Sequence, residues 1–297
     1  MTATEKNQSP AGASPGSPRR RRGGLIAMTV LAAMVSAVAV AQWGRGRRSE
    51  NADPRNGVPV WENSERFKHD VFTFARVRYG SYGGRGGWGD GGYGRGKWST
   101  DYPDADLNFS YRLHQLTALE TDPNGVIIEL TDEKLFDYPW IYIIEPGNML
   151  LSEEEVNCLR RYLVNGGFLM VDDFWGSDEW DQFYSQIKRV FPNREPVELP
   201  LEHEIFQCVY KLAKKPQVPS IHAWERGYTS ERGWDSEEVH YKGLFDDKGR
   251  MMAIICHNTD LGDGWEREGE SPEYFKEMAE KWSYPLGINI VTYAMTH

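Results

Sequence analysis

Cysteine is scarce in this sequence, which has 297 residues and only three cysteines, Cys158, Cys208 and Cys256. They are widely spaced along the chain, and no Cys-x-x-Cys pair or Cys/His cluster accompanies them. That spacing excludes a structural zinc site of the usual kind. An odd number of isolated cysteines predicts buried free thiols rather than a disulfide framework.

Several short catalytic motifs are also missing. Residues 67–297 contain no Gly-x-Ser-x-Gly elbow, and Gly96-Lys97 is followed by Trp98 where a phosphate-binding loop needs Ser or Thr. No internal repeat is visible, and no nucleophile-His-acid set stands out. We therefore expect neither a cofactor nor a resident metal, and the sequence favours a non-enzymatic protein.

Basic residues are outnumbered by acidic residues outside the N-terminus. The net charge is −10, but residues 1–48 hold eight Lys/Arg and one acid, so they contribute +7 and the remainder contributes −17. Nucleic acids bind to basic surfaces, because their phosphates need positive partners. The acidic body therefore excludes a general nucleic-acid-binding function.

The N-terminal region has the composition of an export or anchor segment. Residues 1–22 are polar and basic and should be disordered, whereas residues 23–44 carry no charge. Two interpretations stay open: a signal peptide cleaved after Ala39-Val40-Ala41, or a transmembrane helix with Trp43 at the interface. In both, residues 45–66 form a linker and the body, residues 67–297, lies outside the cytoplasm in a bacterial envelope.

The body alternates strand and helix patterns, which predicts a doubly wound α/β domain with a mostly parallel sheet. Its clearest strand is the apolar run Phe168–Val171, which follows a glycine pair and ends at Asp172 and Asp173. Continuous apolar strands that end in polar residues are typical of buried parallel strands that open at a site. Further strands are predicted at 71–77, 126–130, 140–144, 241–245 and 251–256.

Helix signals lie between these strands. Ser152 and Glu155 form a capping box for a helix that ends at Asn165-Gly166. Other helices are predicted from Asp104, from Ser177 to Pro192, and after Ser271 with an interruption at Tyr284-Pro285.

A glycine-rich loop, residues 80–97, interleaves Tyr82, Trp88 and Tyr93 with Arg85 and Arg95. It is too long and mixed for a dinucleotide fingerprint. We interpret it as a flexible surface loop that can cover a site.

Candidate site residues follow the predicted strands. If the strands ending at Glu145 and Val171 are neighbours, the carboxylates of Glu145, Asp172 and Asp173 share one crevice, where they can bind a cation or act as a base. The alternative is that Asp172 or Asp173 caps the next turn. The predicted ligand-binding set is Glu145, Asp172, Asp173, Phe174, Trp175, His203, Asn258, Asp260, Asp263 and Trp265.

His203, between Glu202 and Glu204, can be a base or ligand, or a capping residue at a helix start. The segment 257–266 is rich in oxygen ligands, but its spacing differs from an EF-hand, and a tight turn explains it as well. The tryptophans suit stacking on a sugar or a peptide.

The body also resembles a bacterial envelope family known as domain of unknown function 4159. The resemblance covers about residues 70–295. It is carried by matching segments, of which Gly166-Gly167-Phe168-Leu169 with Asp172-Asp173-Phe174 is the most specific. The others are Phe74–Tyr79, Trp98, Asp101–Pro103, Ala105-Asp106, Asn108, Tyr138-Pro139, Tyr142-Ile143, Glu145–Gly147, Leu159–Leu163, His203, Ile205-Phe206, Asn258, Asp260, Gly262-Asp263 and Trp265-Glu266.

That resemblance implies a divergent relative of the class I glutamine amidotransferase-like fold, which has a flavodoxin-like sheet. It also implies an envelope setting, but no established reaction. Amidotransferases of this fold have a Cys on the turn after a strand, where this chain has Asp172.

The expected function is therefore a non-catalytic ligand-binding or scaffold domain of the envelope, with a sugar, peptide or protein partner. If residues 23–44 stay attached, the membrane is a further partner. The alternative is a hydrolase in which Asp172 or Asp173 acts with His203 or a divalent cation. A third possibility, a purely structural partner of membrane complexes, predicts an exposed apolar patch.

Overall fold

The computed structural model describes residues 53–67, 70–81 and 96–297. Residues 1–44, predicted to be a disordered leader and an export or anchor segment, lie outside the described residues, as do the start of the predicted linker and most of the glycine-rich loop. Among the described residues, no helix has both the length and the apolar composition required to cross a membrane. Residues 55–297 form one compact unit.

A seven-stranded sheet organises this unit. In spatial order, its strands are β3, β1, β4, β6, β9, β8 and β7. Their bounds are β1 Ala75–Arg78, β3 Val126–Glu129, β4 Trp140–Ile144, β6 Phe168–Asp172, β7 Val197–Glu198, β8 His240–Phe245 and β9 Met251–His257; β2 Gly80–Ser81 and β5 Met149–Leu150 form a separate antiparallel pair.

Five neighbouring strands of the sheet, from β3 to β9, are parallel. Counted by their order along the chain, these five lie in the order 2-1-3-4-5, so the direction of winding reverses between β1 and β4. In open sheets of this type, ligands bind beyond the carboxyl ends of the strands, next to such a reversal. The prediction of a mostly parallel α/β sheet is confirmed, with β8 as an antiparallel neighbour of β9.

Both faces of the sheet are covered, as buried parallel strands require. In β4, Trp140, Tyr142 and Ile144 face one hydrophobic core, whereas Ile141 and Ile143 face the other. This alternation follows from the two-residue period of a strand. All five side chains of β4 are fully buried.

The helices divide between the two cores. On the Tyr142 side lie α1 (Asp104–Leu116) and α7 (Tyr284–Thr296), and on the other side lie α2 (Glu153–Val164) and α3 (Gly176–Val190). Shorter elements are α4 Ile221–Glu225, α5 Leu261–Glu266, α6 Pro272–Tyr274 and a π-helix, Phe275–Ser283.

Local signals account for most of these boundaries. The capping box at Ser152 and Glu155 is present, and Gly166 adopts φ of +110° after α2. The expected interruption at Tyr284-Pro285 is wrong, because helical structure continues from the π-helix into α7 and Pro285 lies in its first turn. All three cysteines are free; Cys256 is buried, and Cys158 and Cys208 are half-buried.

Candidate functional site

The carboxyl ends of β1, β4, β6 and β9 bring polar residues together at one edge of the sheet. Tyr79 follows β1, Glu145 follows β4, Asp172 and Asp173 end β6, and Asn258 follows β9. The Tyr79 hydroxyl donates to the carbonyls of Ile144 and Glu145, which ties the first two strand ends together. We refer to the carboxyl groups at this edge, those of Asp101, Glu145, Asp172, Asp173, Asp260, Asp263 and Glu266, as the strand-end cluster.

Left-handed backbone conformations concentrate at this edge. Of the five non-glycine residues with positive φ in the described part of the chain, four belong to it: Asp101 (+62°), Glu145 (+47°), Asp173 (+54°) and Asn258 (+60°). Such conformations cost free energy in residues with a side chain, and they collect at functional sites. They turn the chain sharply as each strand ends, so that the side chains converge.

Asp172 is the most buried member of the cluster, with no exposed surface. Its Oδ2 accepts hydrogen bonds from the Tyr142 hydroxyl (3.1 Å) and the Gly262 amide (3.0 Å). Its Oδ1 is buried and has no hydrogen-bond partner among the described residues. Burial raises the pKa of this carboxyl group to about 7.

Asp173 is also buried, and its Oδ1 accepts from the Trp175 indole N–H at 3.0 Å. Burial raises its pKa well above the usual range, and the nearby Glu145, Asp101 and Asp172 add to this effect. Neither aspartate caps the helix that follows: the amides of Gly176 and Ser177 donate to Asn258 and Asp235 instead.

Asp260 is buried, and Asp101 is half-buried with one completely buried carboxylate oxygen; together they complete the acidic core of the cluster. The pKa of each carboxyl group is raised well above its ordinary value by burial and then by neighbouring carboxylates, of which Asp263 acts on both. Several carboxyl groups so close together cannot all ionise unless positive charge is added. The cluster therefore retains protons or takes up a cation.

Glu145 lies at the more exposed side of the cluster. It forms an ion pair with Lys97, and its Oε1 accepts from the Thr100 hydroxyl at 2.8 Å. Lys97 is half exposed, so the pair is open to solvent. This is one of the few positive charges that face the strand-end cluster.

The short helix α5 supplies the last members. Asp260 caps it by accepting from the Asp263 amide at 2.7 Å. Asp263 accepts from the Ile221 amide at 2.6 Å, and its other oxygen lies 3.3 Å from Nε of Arg267. Glu266 pairs with the same Nε at 2.6 Å, and burial raises the pKa of Glu266 to about 7.

The structure separates His203 from the other predicted site residues. Its ring packs beside Phe245 and Tyr293, at the edge where the parallel strands begin, and its Nδ1 accepts from the Ile205 amide. His203 therefore acts as a helix cap, which is the second of the two roles that the sequence left open.

A different histidine, His257, lies at the strand ends. Its Nε2 lies 3.0 Å from the Gly176 carbonyl, and burial lowers its pKa to about 4. A neutral imidazole is therefore expected at pH 7.

Three predicted aromatic ligand contacts are core residues. Phe174 is fully buried and packs against Phe183 and His257, and Trp265 is fully buried against Phe109. Trp175 is 4% exposed. These rings shape the floor of the site but cannot stack on a ligand without moving.

Sequence reasoning missed Lys97, Asp101, Tyr142, Gly262 and Glu266 as site residues. Asp101 and Tyr142 stood among the segments that carry the family resemblance, but nothing in their local pattern connects them with Asp172. Gly262 is explained only by the fold: a Cβ there would lie 2.7 Å from Asp101 Oδ2 and 3.0 Å from the Tyr142 hydroxyl. Contacts that close exclude any larger side chain.

Two cavities lie at the opposite edge of the sheet. One, of about 340 Å³, is lined by residues that include Asn63, Thr73 and Asp122; the other, of about 280 Å³, is lined by Phe136, Tyr162 and Gly167 among others. Neither contains a member of the strand-end cluster. The strand-end cluster therefore lies apart from both of these cavities.

Comparison with known proteins gives one family. The model of the family described as Domain of unknown function (DUF4159) matches residues 73–295. No curated protein matches the chain.

Proposed function

Because this chain belongs to the DUF4159 family, whose description assigns no activity, we propose a function from the geometry of its strand ends: non-catalytic ligand binding at the strand-end cluster. The ligand presents positive charge or several hydrogen-bond donors, as a basic peptide or an amino sugar does. An acidic, acceptor-rich site selects such groups and repels phosphates and other anions.

One observation carries this proposal. Asp172 Oδ1 and Asp101 Oδ2 are buried acceptors without a hydrogen-bond donor among the described residues. Leaving a buried polar atom unpaired costs about 1–3 kcal/mol, so each such atom needs a partner, which a ligand, an ion or an ordered water can supply. A ligand that donates to them recovers that free energy on binding.

We further propose the setting that the N-terminal sequence favours. Residues 23–44 export or anchor the chain, and the acidic body works outside the cytoplasm in the bacterial envelope. The 2-1-3-4-5 order of the parallel strands is the flavodoxin-like order, which supports a relationship to the class I glutamine amidotransferase-like fold. With Asp172 in place of a nucleophilic Cys, amidotransferase chemistry is not part of the proposal.

A second candidate function is a hydrolase with Asp172 as general acid or base. The supporting observation is its pKa of about 7, which suits proton transfer at neutral pH. His203 lies too far away to assist, and His257 is already engaged with Gly176. Any turnover would therefore depend on the carboxyl groups alone or on a bound cation.

The test is a thermal-shift screen of the purified full-length protein against lysine-containing peptides, amino sugars, neutral sugars and nucleotides. A ligand that binds only the folded state raises the melting temperature. We expect shifts with the cationic probes, and their loss in Asp172→Asn/Asp173→Asn. Glu198→Gln is the matched control, since Glu198 is a half-exposed acid on β7 that pairs with Lys242 and His240 on β8 and with Lys215.

Equal shifts in the double variant and the wild type would overturn the proposed site, as would shifts with nucleotides alone. Consumption of a cationic probe by the wild type but not by Asp172→Asn would favour the hydrolase instead.

A further inference from the structure

Three carboxylates at one side of the strand-end cluster are close enough to share an ion. Asp101, Asp263 and Glu266 each offer one oxygen, and the three oxygens lie within 4.8 Å of one another. Asp263 and Glu266 are three residues apart on α5, so they project from one side of that helix. Asp101 comes from the turn before α1, which packs against α5.

Two of the three carboxylates already have partners. Asp263 accepts from the Ile221 amide and lies 3.4 Å from the Tyr274 hydroxyl. Arg267 Nε lies 3.3 Å from Asp263 and 2.6 Å from Glu266. These contacts orient both groups, and they leave room on each carboxylate for a further ligand bond.

Asp101 differs, because its completely buried Oδ2 has neither a hydrogen bond nor an ion pair among the described residues. Glu266 Oε2 is also buried without a hydrogen bond among those residues, but Arg267 Nε lies 2.6 Å from it. Gly262 leaves space for this oxygen, because a Cβ at that position would lie only 2.7 Å from it. A buried carboxylate oxygen without a protein donor needs another partner, which an ion or an ordered water can supply. This observation is independent of the number of acids nearby.

We propose that Asp101, Asp263 and Glu266 bind one divalent cation, with Ca²⁺ as the preferred ion. The proposal rests on the proposed function and deepens it, because it names one cationic ligand of the strand-end cluster. All three ligand atoms are hard carboxylate oxygens, which suit Ca²⁺ or Mg²⁺ rather than zinc. Ca²⁺ accepts several carboxylates in a flexible geometry, whereas Mg²⁺ demands near-octahedral geometry and usually binds only one or two carboxylates, so three carboxylates favour Ca²⁺.

Arg267 competes with this ion for the carboxylates of Asp263 and Glu266. Its guanidinium pairs with Asp263 and Glu266 and also with Glu270, at 3.1 Å. When the cation binds Glu266, Arg267 keeps Glu270 as its partner. Removing the charge of Arg267 should therefore strengthen cation binding.

The experiment uses full-length protein stripped with a chelator and then titrated with Tb³⁺, whose luminescence is sensitised by nearby aromatic residues such as Tyr274. Ca²⁺ and Mg²⁺ are then added as competitors, and the melting temperature is measured with each ion. We expect one saturable site, displacement by Ca²⁺ at lower concentration than by Mg²⁺, and a rise in Tm with Ca²⁺.

Three variants sharpen the result. Asp101→Asn, which keeps the shape of the side chain and removes its charge, should lower the affinity for Ca²⁺ by about tenfold or more, because that affinity follows the number of charged ligands. Arg267→Gln should raise the affinity for Ca²⁺ several-fold. Glu198→Gln should leave it unchanged, and circular dichroism checks that each variant is folded.

Absence of a saturable site in the wild type would overturn the proposal, as would equal affinity in Asp101→Asn and Arg267→Gln. Displacement by Mg²⁺ at the lower concentration would overturn the preference for Ca²⁺. If the chelated protein still shows peptide or amino-sugar shifts that depend on Asp172 and Asp173, the cation site fails alone and the proposed function stands. If those shifts are absent but Tb³⁺ still binds, the proposed function fails and the cation site stands.

Discussion

Two buried charged regions lie side by side in this protein, and they are satisfied in opposite ways. Arg76 is fully buried in β1, and its guanidinium donates to Asp106 and to the carbonyls of Trp98 and Thr100. Its Cζ lies 5.2 Å from the centre of the Tyr142 ring, and the hydroxyl of the same tyrosine donates to Asp172 in the strand-end cluster.

The difference separates structural from functional charge. The Arg76–Asp106 region has an opposite charge and hydrogen bonds for its buried groups, which is how buried ion pairs are tolerated in a fold. The strand-end cluster has an excess of acids and three buried oxygens without a hydrogen bond among the described residues, and four residues at this edge of the sheet adopt left-handed backbone conformations. Unsatisfied groups and strain of this kind are retained where a ligand or a reaction makes use of them.

The largest expected effect comes from breaking the satisfied region. Arg76→Met leaves Asp106 buried without its partner, and we expect a loss of about 3–5 kcal/mol in the free energy of unfolding. Urea denaturation at pH 7 measures it. Arg78→Met is the matched control in the same strand: its pair with Glu129 is exposed, so we expect a loss of less than about 1 kcal/mol. Equal losses in the two variants would contradict the comparison.

At Asp172, by contrast, we expect the ionised side chain to destabilise the fold. Its pKa is raised to about 7 in the folded state, so burial of the charged form costs stability that is absent below the unfolded pKa of about 4. The wild type should therefore lose up to about 4 kcal/mol from this group as pH rises from about 4 to 7, at about 1.4 kcal/mol per pH unit.

Asp172→Asn does not titrate, so its free energy of unfolding relative to the wild type should increase across that range. A constant offset of about 1–3 kcal/mol is expected from the new amide, which has no acceptor. Denaturation curves at pH 4, 5, 6 and 7 test the slope. Parallel pH profiles for the two proteins would mean that Asp172 is ionised in the fold.

The smallest effect concerns the one side-chain hydrogen bond that Asp173 accepts from the described residues. Trp175→Phe removes the indole N–H that Asp173 accepts at 3.0 Å, and we expect a loss of about 1–3 kcal/mol. Trp234→Phe is the control, since that side chain is 85% exposed and should change stability by less than about 0.5 kcal/mol. The same denaturation assay measures both variants. A larger loss of stability in Trp234→Phe than in Trp175→Phe would contradict a stabilising hydrogen bond from Trp175 to Asp173.

Much of the fold was predictable from local patterns. The apolar runs at 140–144 and 168–171 became central strands, and the capping box at Ser152 begins α2. These predictions succeed because apolar runs must be buried and because helix ends must satisfy their amides. The first strand was predicted too early: pairing begins at an isolated bridge between Phe72 and Thr121, and β1 itself starts at Ala75.

The site was predictable only in part. Glu145, Asp172 and Asp173 are neighbours because adjacent parallel strands end at one edge, which the sequence could suggest. Asp101 and His203 have no comparable signal. Asp101 lies in a turn far from β6 along the chain and joins the cluster. His203 is a helix cap at the opposite edge of the sheet.

By itself, the sequence determined an acidic α/β body whose central strands end in carboxylates, because hydrophobic periodicity and turn residues act over a few neighbouring positions. Only the tertiary structure decided which of these carboxylates are buried, which have donors, and that Asp101 and Glu266 lie beside one another. The physical reason is that desolvation and electrostatic repulsion depend on distance through space, and residues distant in sequence reach that distance only when the sheet and its helices have packed.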